Sequence, residues 1–143
     1  MTEPSTATPH ARALPAFLLA GALGFLVDAG GAAALVAAGW SAPAARLPSI
    51  LAALTLTWAL NRRLAFAPAP GGALAEFGRY LLVSAGGAGL NLMVYLMVFA
   101  AAPARGPLVA AIAVAAGSVA ALAFNYLGYR RFAFAGPLRP PAG

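Results

Sequence analysis

The sequence predicts an all-α membrane protein: four transmembrane helices arranged as two similar hairpins, with both termini in the cytoplasm. Three observations lead there. Hydrophobic residues make up 62% of the 143 positions and charged residues only 8%; an ordinary soluble domain carries about 25% charged residues. So few charges cannot cover the surface of a soluble fold this small. The apolar residues fall into four long runs, and the mean hydropathy is +0.85. The nine basic residues, all arginine, sit at the ends of those runs.

The first run covers residues 14–38 and is broken only by Asp28. The second covers 47–60 and ends in Asn61-Arg62-Arg63. The third covers 80–102 and contains Asn91. The fourth covers 107–124 and ends in Asn125, with Arg130-Arg131 beyond. A helix needs about 20 residues to cross a hydrocarbon core about 30 Å thick. The first and third runs meet that length and the fourth is close. The second is short, but snorkelling of Arg62 and Arg63, with Leu64 and Phe66 following, extends it. Inside lipid the backbone must satisfy its own hydrogen bonds, so these segments are helices. The first run is too long for the apolar segment of a cleaved signal peptide, about 7–15 residues. The expected organisation is a disordered cytoplasmic tail over 1–12, a transmembrane domain over 13–136, and a second disordered cytoplasmic tail over 137–143. Residues 67–72, Ala-Pro-Ala-Pro-Gly-Gly, form a non-helical linker.

Orientation follows from the arginines. Arg12, Arg62, Arg63, Arg79, Arg130, Arg131 and Arg139 fall on one side of a four-span chain; Arg46 and Arg105 fall on the other. The excess of positive charge marks the cytoplasmic side. The net charge of +6 does not predict nucleic-acid binding, because the arginines form no continuous patch. With no cysteine and a single histidine, His10, the chain offers no thiol chemistry and no metal site. There is no nucleophile–base pair either, so no catalytic residue, cofactor or enzymatic activity is expected.

The two halves resemble each other. Residues 17–28 align with 80–91 so that two leucines, Ala22 with Ala85 and Gly24 with Gly87 coincide, while Asp28 falls on Asn91. Residues 62–66, Arg-Arg-Leu-Ala-Phe, align with 130–134, Arg-Arg-Phe-Ala-Phe. Each half is therefore one hairpin of the same topology, related by an axis along the membrane normal.

Four polar residues lie within or at the ends of the runs. Asp28 is the one acid inside an apolar run, about 21 Å from its start at 1.5 Å per residue. A carboxylate at that depth is costly and faces a partner or a cavity. Asn91 lies at similar depth in the third helix. Gly24 and Gly87 precede these residues by one turn, which predicts a close contact between the first and third helices held by Asp28 and Asn91. Asp28 is either a titrating or substrate-contacting acid or one end of an interhelical hydrogen bond. Asn61 and Asn125 either cap helix ends or line a polar groove. The pairs Arg62-Arg63 and Arg130-Arg131 either anchor the chain at the membrane surface or bind phosphate through their guanidinium forks, forming a charged cytoplasmic mouth. Glu76 and Arg79 are spaced to pair across one turn.

In order and spacing, the chain resembles the GtrA-like family of small four-span membrane proteins. The resemblance rests on Phe17-Leu18-Leu19 with Gly21 and Asp28, on Asn61-Arg62 with Phe66, and on Phe77, Arg79, Tyr80 and Asn91. It continues through Asn125-Tyr126 and Arg130-Arg131-Phe132-Ala133-Phe134. It spans residues 17–134. Leu64 departs from the aromatic usual there, and Ala65 and Ala133 from the common Thr or Val.

The resemblance implies movement (flipping) of a polyprenyl-phosphate-linked sugar across the cytoplasmic membrane for cell-surface polysaccharide synthesis, in some relatives beside a polyprenyl-phosphate glycosyltransferase. On that expectation Arg62, Arg63, Arg130 and Arg131 hold the phosphate headgroup, and Asp28, Asn61, Asn91 and Asn125 line the polar route. The partners are the lipid-linked sugar, membrane lipid, a glycosyltransferase and further copies of the chain; nucleic acid is not among them. Two alternatives stand beside it. One is a membrane scaffold for the glycosyltransferase, and the other is a small proton-coupled exporter that uses Asp28.

Overall fold

A computed structural model of the chain describes residues 9–103 and 106–134. Four helices account for most of them: α1 Pro9–Ala37, α2 Ala42–Leu60, α3 Ala73–Ala101 and α4 Pro107–Gly128. All four are long and apolar enough to cross a membrane. The tail expected over 137–143, most of that expected over 1–12, Arg105 and Arg139 lie outside the described residues.

The chain divides between Pro68 and Ala69 into two compact units. In the first, α1 packs on α2; in the second, α3 packs on α4. Each unit is thus a helical hairpin. Short connections between antiparallel helices produce this pairing. In the first, Gly39 adopts a positive φ of 94°. Its N–H bonds the carbonyl of Val36 at 3.0 Å, and Trp40 N–H bonds that of Leu35 at 3.0 Å. This is a Schellman ending: it satisfies the last carbonyls of α1 and turns the chain, and glycine alone adopts the φ without strain.

Both returning helices end in one turn of π-helix, Asn61–Ala65 after α2 and Tyr129–Ala133 after α4. Phe66 N–H bonds the Asn61 carbonyl at 2.8 Å, and Phe134 N–H bonds the Tyr129 carbonyl at 2.8 Å. The second span thereby reaches from Ala42 to Ala65, 24 residues, or roughly 35 Å. The short apolar run becomes a full crossing because helical structure continues through the arginines. α3 begins two turns before its apolar run, at Ala73, so that Glu76 and Arg79 lie inside the helix.

The two hairpins bury equivalent positions. In α1 these are Ala13, Phe17, Ala20 and Gly24; in α3 they are Glu76, Tyr80, Val83 and Gly87. Ala45, Ser49, Ala65 and Phe66 on the return of the first hairpin answer to Ala113, Gly117, Ala133 and Phe134 on the return of the second. One face of each helix is packed and the rest is open: Phe25 is 70% exposed and Leu82 67%. Apolar side chains turned outward on this scale are solvated by lipid tails, since without a hydrophobic drive between helices the packed stripe uses small residues for close approach.

Candidate functional site

Each hairpin carries polar groups on its shared apolar frame, at opposite ends. In the first hairpin they lie toward the connection between α1 and α2. Asp28 accepts two hydrogen bonds from the guanidinium of Arg46, at 3.0 and 3.1 Å, and a third from the Ser49 hydroxyl at 2.7 Å. Arg46 and Ser49 stand on successive turns of α2, and Ser49 Oγ also lies 3.0 Å from the Arg46 carbonyl. The side chain of Arg46 is 52% exposed and that of Asp28 24%. A bidentate pair cancels the charge that would otherwise make each group costly in a span. The expected contact of Asp28 with Asn91 is thus not what holds the carboxylate, whose partners come from its own hairpin. Asn91 likewise lies against its own hairpin: a Cβ on Gly117 of α4 would stand 2.6 Å from the Asn91 backbone oxygen and 2.8 Å from its side-chain oxygen.

In the second hairpin the polar groups gather at the other end. Glu76 is fully buried, and its carboxylate accepts the N–H of Ala69 at 2.7 Å. Arg79 donates from Nε to the Ala133 carbonyl at 3.3 Å and from its terminal nitrogen toward the Pro70 carbonyl at 3.5 Å. These two residues, expected to pair with each other as surface charges, instead reach back to the main chain of the linker and of the π-turn. The Ser84 and Tyr129 hydroxyls are 2.7 Å apart, and Tyr129 stacks on Tyr80 at 4.6 Å between ring centres. Phe134 meets both rings edge-on. The result is a cluster of three buried aromatic rings, two of them flanking the Arg130-Arg131 pair in sequence.

The arginine pairs occupy equivalent places. Arg62 and Arg130 are half-buried, while Arg63 and Arg131 are exposed. Both pairs fall within the π-turns, whose extra residue per turn re-aims side chains relative to the α-helix before them; such turns recur at functional sites. Arg62 lies over the Trp58 ring, 5.6 Å from its centre, within the range of a cation–π contact. Each hairpin therefore presents one half-buried and one exposed guanidinium.

The π-turns keep the register in which the two arginine pairs align. Asn61 and Asn125 do not occupy equivalent positions: Asn61 corresponds to Tyr129, and Asn125 to Thr57 one turn earlier. The glycines of the outgoing helices confirm this. A Cβ on Gly24 would collide with the Thr57 hydroxyl, and one on Gly87 with the Asn125 amide. Thr57 answers its own need by donating to the Ala53 carbonyl at 2.6 Å. The Asn125 Oδ1 and both amide atoms of Asn61 are buried without a hydrogen-bond partner. Among the described residues no group of three or more His, Cys, Asp or Glu side chains could hold a metal ion.

No curated protein matches the chain. The family model described as GtrA/DPMS, transmembrane domain, matches residues 16–134, from the first turns of α1 to the end of the second π-turn.

Proposed function

Since the chain belongs to the GtrA/DPMS transmembrane-domain family, we propose that this multi-pass membrane protein carries a polyprenyl-phosphate-linked sugar across the cytoplasmic membrane for cell-surface polysaccharide synthesis. The observation that supports this most is the repeated end: a π-turn holding a half-buried arginine beside an exposed one, in both hairpins. A single pair would serve as a membrane anchor. Duplication of the same partly desolvated guanidinium is the chemistry that captures a phosphate at a membrane surface, where reduced dielectric strengthens each charge-assisted hydrogen bond.

On this reading both termini and the 67–72 linker face the cytoplasm. Arg62 and Arg130 hold the phosphate, with Arg63 and Arg131 attracting it. The prenyl tail remains among the lipid-facing leucines and phenylalanines. Asn61, Asn125, Asn91 and Asp28 offer polar groups for the sugar. A second copy of the chain widens a route that four helices alone make thin. No covalent step is involved. A glycosyltransferase that makes or uses the lipid-linked sugar is the natural protein partner. The bidentate Asp28–Arg46 pair weighs against a proton-coupled exporter, which needs its acid available to protons.

The test is transport of a fluorescent polyprenyl-phosphate-linked sugar in reconstituted vesicles. The double variant Arg62→Gln/Arg130→Gln, inserted to the same level, is expected to lose at least about tenfold in rate, the loss of one charge-assisted bond or more. An unchanged rate would refute the assignment. Copurification with a glycosyltransferase, together with intact flipping in a strain that lacks this protein, would favour the scaffold reading instead.

A further inference from the structure

Asn61 is the polar side chain that packing explains least. It is fully buried, yet neither Nδ2 nor Oδ1 has a hydrogen-bond partner. A buried amide left unanswered is destabilising. Such groups are rare in folded proteins, and a ligand that answers them is one reason they persist.

The second hairpin shows how the same place is closed. There Tyr129 stands in the register of Asn61, and Ser84 in that of Gly21. Their hydroxyls meet at 2.7 Å, and Ser84 also donates toward the Tyr80 carbonyl at 2.9 Å. In the first hairpin both members are cut back. Asparagine replaces the long phenol, and Gly21 offers no side chain; a Cβ there would meet nothing within 4 Å. The frame is otherwise kept: Phe17 for Tyr80, Ala65 for Ala133 and Phe66 for Phe134, all buried. One hairpin thus has an internal polar bond where its counterpart has an unanswered amide and, in the register of Ser84, a glycine with no side chain to answer it.

We infer that Asn61, with the open position at Gly21, is a hydroxyl-reading subsite that recognises the sugar of the ligand, one residue from the Arg62 guanidinium that holds its phosphate. This rests on the transport reading above and adds to it which chemical group Asn61 selects. A phosphodiester has oxygens to accept from Nδ2 but no proton for Oδ1. A prenyl chain offers neither. A sugar hydroxyl does both, so it is the group whose chemistry matches both orphaned atoms. The amide is closed off in this conformation, so the sugar reaches it as the helices around the π-turn part, and the second hairpin, locked by Ser84 and Tyr129, has no equivalent site.

The experiment grafts the closure of one hairpin onto the other. The variant Gly21→Ser/Asn61→Tyr installs the pair that the equivalent frame of the second hairpin holds, and Asn61→Leu removes the amide at nearly constant size should the graft fail to fold. Helix content and a single elution peak in detergent establish folding. Binding is measured to farnesyl phosphate and to farnesyl-phosphate-linked glucose, mannose, galactose and arabinose. Wild type is expected to bind at least one glycosylated probe about five- to tenfold more tightly than farnesyl phosphate, the worth of one or two hydrogen bonds. In the graft and in Asn61→Leu that ratio falls to about one, while farnesyl phosphate binds as before. A preference that survives both variants, or a wild type that binds every glycosylated probe no better than farnesyl phosphate, overturns the subsite. A wild type that binds no probe at all overturns the phosphate reading on which it rests.

Discussion

Substituting Gly117 with alanine tests whether the α3–α4 contact is as tight as described. The added Cβ would stand 2.6 Å from the Asn91 carbonyl oxygen and 3.3 Å from its carbonyl carbon. Carbon–oxygen contacts settle at about 3.3 Å or beyond, so the helices must separate by about 0.7 Å. The obstacle is main chain inside a helix, which cannot swing aside as a side chain would. Forcing one methyl into a packed interface costs about 1–3 kcal/mol. Gly89→Ala provides the comparison, because a Cβ at Gly89 meets nothing within 4 Å. Both changes carry the same gain in helix propensity, about 1 kcal/mol in water, which cancels between them. Unfolding in mixed micelles of dodecyl sulfate and mild detergent, followed by circular dichroism and by proximity of labels on α3 and α4, measures the difference. Gly117→Ala should be the less stable variant by about 1–3 kcal/mol. Stability within about 0.5 kcal/mol of Gly89→Ala would refute the close approach and with it the packed register of the second hairpin.

Two further outcomes follow from the polar clusters. Asp28→Ala strands the Arg46 guanidinium in the first hairpin and should destabilise it by about 1–3 kcal/mol. Arg46→Leu in that background should restore much of the loss, and a double-mutant cycle showing no coupling would contradict the bidentate pair. Glu76→Ala removes the acceptor for the Ala69 N–H and should raise the rate of proteolytic cleavage within residues 67–72 severalfold at unchanged helix content; an unchanged rate would show that the linker is held by other means.

Much of the architecture was legible in the sequence because the bilayer imposes it. Hydrocarbon requires about 20 apolar residues per crossing, and four apolar runs can be counted, the second reaching that length only with the residues that follow it. The repeat was legible too, since Arg-Arg-x-Ala-Phe recurs where both return helices end. The partners of the polar residues were not. Asp28 was matched with Asn91 because the aligned halves place them at equal depth. Folding the first hairpin about the Ala38–Gly39 turn instead sets Asp28 level with Ser49, as many residues before Ala38 as Ser49 lies after Gly39, and Arg46 one turn away. That signal was present, but it required knowing that each helix packs on its immediate successor. Nor could spacing show that Glu76 and Arg79 serve main-chain groups, because a charge at a helix start is equally at home in water.

The amino-acid order alone determined the number of crossings, their rough limits and the two-fold duplication, since transfer of side chains into lipid is a property of each segment by itself. Only the folded chain decided which polar atoms are answered and which are left waiting. Pairing depends on register between helices: Tyr129 at the start of one π-turn meets Ser84, while Asn61 at the start of the other has no hydrogen-bond partner. That difference of one hydrogen bond arises from the packing of the two helices in each hairpin and is invisible along either one.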